Sequence, residues 1–147
     1  MAKLQVEVVT AEGRTFSEEA DFVRAPGLAG EVGILPRHIP MLTPLKTGEV
    51  LVRNGSDEQF LFVAGGFLEV LPDKVVILAD AAERAETIDE ARAQEARRRA
   101  EQLLGENRES SEAAAMLERA VYRLRIAEVR KRGGGRRSRN EGPPPQG

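Results

Sequence analysis

Hydrophobic and polar residues alternate in short runs over the first 80 residues of the chain. The runs cover residues 4–8, 49–52, 59–63, 67–71 and 75–78, and turn-forming pairs separate them at Glu12-Gly13, Pro26-Gly27, Asn54-Gly55 and Pro72-Asp73. Short alternating runs with regular turns are typical of an antiparallel β-sandwich or barrel. Asn54-Gly55 predicts a tight hairpin, because both central residues of a type I′ turn need positive φ.

A helical composition replaces this pattern over residues 81–132, where alanine, arginine and glutamate predominate and Gly105 is the single glycine. Thr87 and Glu90 fit a capping box at the start of a first helix, and Gly105 fits the left-handed position that ends one. A second helix is expected to begin at Ser110 or Ser111 and to run to about residue 132.

Small apolar residues recur at spacings of three or four along both predicted helices. One stripe consists of Ala93, Ala96, Ala100 and Leu103, and the other of Ala113, Leu117, Ala120, Leu124 and Ala127. A short connection favours antiparallel packing of the two helices. Alanine buries little area, so at roughly 25 cal/mol per Å² this seam is weak. We therefore expect the hairpin to open at modest cost.

These patterns predict an α+β protein with two structured parts. Residues 1–84 are expected to form an antiparallel β-sandwich and residues 85–132 an antiparallel αα-hairpin. Residues 133–147 are rich in glycine, arginine and proline. They are expected to be a disordered basic tail, because such a segment buries too little surface to offset its ordering entropy.

The composition excludes several kinds of chemistry. The 147 residues include no cysteine and one histidine, which excludes disulfides, thiolate catalysis and multi-histidine metal sites. No Gly-x-Ser-x-Gly elbow accompanies His38, and Gly65-Gly66 is not followed by the Lys-Ser/Thr of a phosphate loop. We expect no catalytic site and no metal site. No signal peptide and no apolar run of about 20 residues is evident, so we expect a cytoplasmic protein that is soluble or attached to a membrane only through a partner.

Charge is distributed unevenly between the two parts. Residues 1–80 carry 7 basic and 12 acidic side chains, whereas residues 81–147 carry 15 basic and 12 acidic ones. The basic second helix could meet nucleic acid, anionic lipid or an acidic protein loop. Tyr122 is the only aromatic residue after Phe67, which weakens the case for stacking on single-stranded nucleic acid.

Ordered motifs along most of the chain resemble the ε subunit of F-type ATP synthases. They are Gly30-Glu31-Val32-Gly33-Ile34-Leu35-Pro36-x-His38-x-Pro40, Gly65-Gly66-Phe67-Leu68-Glu69-Val70, Val75-Val76-Ile77-Leu78-Ala79-Asp80, Ile88-Asp89-x-x-Arg92-Ala93 and Leu117-x-Arg119-Ala120-x-x-Arg123-Leu124. The resemblance covers about residues 3–131. It implies a β-sandwich followed by a helical hairpin, in agreement with the hydrophobic pattern.

The resemblance also implies a role and partners. The expected protein is a non-catalytic subunit of the central stalk, bound to the γ subunit and the c-subunit ring on the cytoplasmic face of a bacterial inner membrane. It would couple ion flow to ATP synthesis. Its helices would either fold on the sandwich or extend toward the α/β catalytic hexamer and restrain ATP hydrolysis.

Some members of this family bind ATP on the folded hairpin, and the matching positions here are candidate ligands. They are Glu83, Ile88, Asp89, Arg92, Ala93, Arg99, Arg119 and Arg123. Guanidinium groups from two helices could clamp a triphosphate. Asp89 is equally explained as a carboxylate at a helix start, paired with Arg92. No cofactor is expected to be required, with ATP as a candidate regulatory ligand.

Residues 31–43 are the candidate partner-binding loop, because Pro36 and Pro40 within it, and Pro44 directly after it, stiffen the backbone. The candidate contact residues are Glu31, His38, Ile39, Met41 and Leu42, with Arg125 on the basic second helix. A structural loop that covers one end of the sandwich explains the same residues equally well. The competing function is that of a free-standing adapter whose basic helix and tail bind nucleic acid or an acidic protein.

Overall fold

Ten β-strands form the first part of the molecule. The computed structural model describes the backbone of residues 2–140 and the side chains of residues 2–129. The strands are β1 (Leu4–Thr10), β2 (Gly13–Ala20), β3 (Phe22–Gly27), β4 (Gly30–Ile34), β5 (Met41–Leu45), β6 (Gly48–Asn54), β7 (Asp57–Val63), β8 (Gly66–Leu71), β9 (Lys74–Ala79) and β10 (Ala82–Arg84). Each of the five alternating runs lies within a strand, so the strands predicted from alternation are confirmed.

One continuous sheet folds over to form the sandwich. Its strand order is β10-β7-β6-β3-β5-β8-β9-β1-β2, with β4 paired to β3. The link between β3 and β5 is a single pair, Gly27 with Leu45, and the sheet passes from one layer to the other there. Strands β1 and β9 run parallel. The sandwich predicted as antiparallel therefore contains a parallel pair, because β9 returns beside the first strand of the chain.

The predicted hairpin between β6 and β7 forms, but its turn lies one residue later. Asn54 pairs with Asp57, which leaves Gly55 and Ser56 as the turn. Gly55 has a φ of 64°, and Ser56 is not among the residues with positive φ. The expected type I′ turn needs positive φ at both central residues and is therefore not formed.

The core of the sandwich is built from alternate strand residues. Leu4, Val6 and Val8 of β1 are fully buried, and they cluster with the inward side chains of the other strands, among them Val23, Leu61, Leu68, Val70, Val75 and Ile77. Each such side chain contributes about 1.5–3 kcal/mol when it is removed from water. Within the described residues, this cluster contains no helix side chain, so the sandwich has a core of its own.

The second part consists of a 3-10 turn, Ala85–Thr87, and the helices α1 (Glu90–Glu106) and α2 (Ser111–Asn140). The structure contradicts both predicted caps of α1, Thr87 at its start and Gly105 at its end. Asp89, not Thr87, caps its start by accepting a hydrogen bond from the backbone N–H of Arg92 at 3.1 Å. The hydroxyl of Thr87 donates instead to the carbonyl oxygen of Arg84 at 3.0 Å, because the 3-10 turn precedes the helix.

The connection between the helices also differs from the prediction at one residue. Gly105 lies inside α1, and Asn107 is the C-cap in an extended conformation, so no left-handed glycine ends this helix. Asn107 makes that ending possible because its side-chain oxygen accepts the N–H of Glu109 at 3.1 Å. The predicted start of α2 is confirmed: Ser110 Oγ accepts the N–H of Ala113 at 3.2 Å.

Helix α2 continues past the end expected near residue 132 and reaches Asn140. Lengthening an existing helix gains one hydrogen bond for each residue that is fixed, so the glycine run at 133–135 does not end it. The backbone of residues 133–140, expected to be disordered, is therefore helical in the structure. The remainder of the expected tail, residues 141–147, lies outside the described residues.

The two helices pack against each other through the predicted alanine seam. Ala93, Ala100, Ala113 and Ala120 are at most 1% exposed. Leu103 departs from the predicted stripe and is 40% exposed, whereas Leu104 is half-buried. Helix α2 contacts α1 on one side and the strands β6 and β7 on another. It therefore connects α1 to the sandwich.

Candidate functional site

A small apolar cluster lies where α2 meets the sandwich, and we call it the docking interface. Its buried members are Phe62, Ala64, Ala85 and Ile126, with Phe60, Ala81, Ile88 and Tyr122 packed against them. Leu61, Phe62 and Val63 are consecutive in β7 and all fully buried. The core covers one face of this strand and α2 covers the other, so the docked hairpin is part of the burial of β7.

A charged pair borders the docking interface. Strand β10 pairs with β7 so that Glu83 lies opposite Phe62. Glu83 Oε1 lies 3.0 Å from Arg123 Nη2, and the two side chains form an ion pair. The guanidinium carbon of Arg123 also lies 5.1 Å from the centroid of the Phe62 ring, which is within cation–π range. One arginine of α2 therefore contacts two strands of the sandwich.

The eight candidate ATP ligands are distributed over both helices and β10. Glu83 and Arg123 are in contact with each other, Asp89 caps α1, Ile88 packs at the docking interface, and Ala93 is buried in the helix seam. Arg92, Arg99 and Arg119 are exposed, and none of these three has an ion pair among the described side chains. The structure thus brings two of the eight together directly and leaves three cationic side chains facing solvent.

A second group of charges lies between β4, β3, β6 and α2. Arg24 Nη2 donates to Glu49 Oε1 at 2.8 Å, and Arg24 Nε lies 3.8 Å from Glu31 Oε1. Partial burial raises the pKa of the Glu49 carboxyl above its ordinary value, although the charges of Arg24 and Arg125 oppose that rise. Two predicted partner-binding residues thus act on the pKa of Glu49 in opposite directions: the charge of Glu31 raises it, and the charge of Arg125 lowers it.

Residues of the predicted partner-binding loop occupy three different environments. Ile39 and Leu42 are 76% and 69% exposed, as expected of contact residues without a partner present. Met41 packs against the sandwich core. His38 is half-buried, and its Nδ1 lies 2.7 Å from the carbonyl oxygen of Ile39, which is a local contact. Arg125 lies on α2, over the ring of Tyr122.

An apolar surface crosses the outer face of the layer that contains β5, β8, β9 and β1. We call it the outer patch, and it consists of Val9, Leu42, Pro44, Phe67 and Leu78. The strand register forms a row in which Pro44 pairs with Phe67, Phe67 with Leu78, and Leu78 with Val9. Phe67 and Leu78 are 53% and 50% exposed. Exposed apolar side chains in such a contiguous row mark an interaction surface.

The sequence carried a signal for this patch that strict alternation hides. Phe67-Leu68 and Ile77-Leu78 place two apolar residues in succession within strands, so one of each pair must face outward. Leu68 and Ile77 point into the core, whereas Phe67 and Leu78 are exposed. An open hollow of about 480 Å³ lies beside them, bounded also by Thr10, Gly66 and Asp80.

Within residues 2–140, no group of three or more histidine, cysteine or acidic residues could hold a metal ion. No helix in that part of the chain is long and apolar enough to cross a membrane.

Comparison with known proteins gives the same family for both parts of the chain. Residues 3–85 match the family model described as ATP synthase, Delta/Epsilon chain, beta-sandwich domain. Residues 86–128 match the model described as ATP synthase, Delta/Epsilon chain, long alpha-helix domain. The two matches meet just after β10, where the strands give way to the 3-10 turn.

Individual relatives match over nearly their whole length. An ATP synthase epsilon chain of Dehalococcoides mccartyi is 52% identical over 136 residues, which cover 90% of this chain and 97% of that protein. One from Herpetosiphon aurantiacus is 50% identical, covering 87% and 96%. A chain in the cryo-EM structure of the Euglena gracilis mitochondrial ATP synthase, OSCP/F1/c-ring, has a TM-score of 0.63 at 20% identity, covering 90% of this chain and 82% of that one. At that identity the likeness concerns the fold.

Proposed function

The chain belongs to the ATP synthase delta/epsilon chain family, and on that premise we propose that it is the ε subunit of a bacterial F-type ATP synthase. It catalyses no reaction itself. It binds the central stalk, helps couple ion flow to ATP synthesis, and restrains ATP hydrolysis by the α/β hexamer when its helices extend. Its place is the cytoplasmic face of the inner membrane, held there by the complex.

One observation carries this proposal: the hairpin is docked on a sandwich that has its own core. A regulatory subunit of this kind needs two states that differ by a few kcal/mol. The docking interface is small, and the seam between α1 and α2 consists mostly of alanine. The helices can therefore leave the sandwich without unfolding it.

The outer patch supports the stalk-binding part of the proposal. Phe67 and Leu78 lie on a rigid sheet layer, and Leu42 extends their surface toward the loop with Ile39. A preformed apolar surface of this kind suits a permanent partner, and we assign it to the γ subunit. The polar and apolar residues of the loop, including Glu31 and His38, then face the c-subunit ring.

ATP is the regulatory ligand that we propose for the docked hairpin. The exposed Arg92, Arg99 and Arg119 supply positive charge, and no ion pair with another described side chain competes for them. Arg123 joins them only if the phosphates displace Glu83 from its guanidinium. A ligand that binds the docked form alone would shift the population toward it. Titration of the isolated chain with ATP, followed by calorimetry, tests this binding, and Arg92→Gln is expected to weaken it.

Hydrolysis by a catalytic complex that has been stripped of this subunit tests the role itself. The full chain and the chain cut after Glu86 are added separately, at low and high ATP. We expect both to bind, because the sandwich core is complete without the helices. Only the full chain is expected to inhibit, and high ATP should relieve the inhibition. Failure of both forms to bind would overturn the proposal.

The competing adapter function has no support from the family membership. A nucleic-acid adapter also needs aromatic or base-reading side chains beside its basic helix, and Tyr122 is packed at the docking interface instead. A filter-binding assay with single-stranded and double-stranded DNA is expected to show only weak, salt-sensitive binding.

A further inference from the structure

Arg123 of α2 forms an ion pair with Glu83 of the sandwich. Its guanidinium makes two contacts with the sandwich, and one of its nitrogen atoms is buried. Nη2 reaches Glu83 of β10, the guanidinium plane lies over Phe62 of β7, and Nε is buried without a hydrogen-bond partner. The buried Nε shows that docking removes part of this cation from water, so the contact on Glu83 has to compensate for that loss.

The position of Arg123 makes it decisive for the whole hairpin. Helix α1 rests on α2, and the main contacts with the strands come from α2. Arg123 lies one turn before Ile126 on the same side of the helix, so both side chains reach the same strand. Release of this short stretch of α2 would release both helices from the sandwich together.

We infer that Glu83 and Arg123 form a latch that sets the fraction of molecules in which the hairpin is docked. The inference rests on the proposed switching role for its biological meaning, but docking itself can be measured on the isolated chain. A latch of this strength suits a switch. Both side chains are about one-third exposed, so the pair is partly screened by water and can be broken. Arginine suits the position because one planar group can meet a carboxylate and a ring together.

Hydrogen exchange of the isolated full chain, followed by mass spectrometry, measures the latch directly. The probe is exchange in residues 120–129, where the rate follows the fraction of molecules that have opened. The variants are Glu83→Gln, Arg123→Met and their combination, since methionine keeps an unbranched apolar stem over Phe62. The matched control is Arg97→Gln with Glu101→Gln, which removes an ion pair of 3.7 Å within α1.

We expect each latch variant to exchange about two- to fivefold faster in residues 120–129, from the usual strength of partly exposed pairs. The double variant should be no faster than the faster single one, because both singles break the same contact. Exchange in β1 of the latch variants should remain at the wild-type rate, and so should exchange in residues 120–129 of the control variant. Wild-type exchange in the single variants, or effects that simply add in the double variant, would overturn the latch even if the proposed stalk role holds.

Discussion

Ile126→Ala is the substitution that tests the docking interface most directly. Ile126 is fully buried between α2 and the sandwich, and it would be exposed in the undocked state. The substitution removes three carbon atoms, which at about 0.8 kcal/mol each amounts to about 2.4 kcal/mol of docking free energy. At 1.4 kcal/mol for each factor of ten, that is an increase of about 50-fold in the undocked fraction. A cavity left in the docked state would add to this.

The assay separates docking from folding. Exchange in residues 120–129 should accelerate by about 50-fold, whereas exchange in β1 and β9 should not change, because their core contains no helix side chain among the described residues. Leu103→Ala is the control, since it removes the same number of carbons from a side chain that is 40% exposed. Unchanged exchange in α2 would refute the conclusion that the docking interface keeps the hairpin on the sandwich. Equal acceleration in the strands would refute the independence of the sandwich.

Three further substitutions test other parts of the structure. Phe67→Arg should weaken binding to the stripped catalytic complex by at least about tenfold without lowering the melting temperature; binding at wild-type strength would exclude the outer patch as the contact surface. Gly66→Ala should destabilise the chain in urea more than Gly55→Ala. Both glycines have positive φ, which costs about 1–3 kcal/mol for alanine. A Cβ at Gly66 would in addition lie 2.0 Å from a backbone oxygen of β9, whereas a Cβ at Gly55 would meet open space. Equal losses of stability in the two variants would contradict that close approach. Arg24→Gln should raise the already elevated pKa of Glu49 further, because a positive neighbour is lost. A carboxyl with a raised pKa in the folded state makes the protein less stable as the pH rises from the unfolded-state pKa through the folded-state pKa. This loss of protein stability with rising pH should therefore be larger in the variant. An NMR titration that finds the same Glu49 pKa in the variant and the wild type would contradict this reasoning.

Hydrophobic periodicity was sufficient for five of the ten strands and for the helix seam. The runs in β1, β6, β7, β8 and β9 alternate because one face of each meets the core, and period-two burial is visible in any sequence that obeys it. The alanine spacing gave the face of each helix for the same reason. The other five strands, β2, β3, β4, β5 and β10, escaped the pattern, since glycine, proline and charged residues interrupt their alternation.

The helix ends show why local signals are less certain than periodic ones. Thr87 and Asp89 are both good capping residues two positions apart. The choice between them depends on the 3-10 turn, which buries Ala85 against the docking interface. Gly105 likewise fits a C-cap, but helix α1 ends two residues later at Asn107, whose side chain accepts a hydrogen bond in the connection. At the start of α1 a tertiary contact of Ala85 selected one of two locally acceptable boundaries, whereas at its end the local hydrogen bond of Asn107 did so.

The sequence alone determined the two-part architecture and, through its ordered motifs, the family. It also predicted functional roles for Glu83 and Arg123, but as ligands of a nucleotide and not as partners of each other. Their contact across 40 residues of chain depends on β10 pairing with β7 and on α2 lying over that strand. The outer patch depends in the same way on the register of four strands. Periodicity records which side of an element is apolar, whereas contacts between distant elements are decided only when the elements pack.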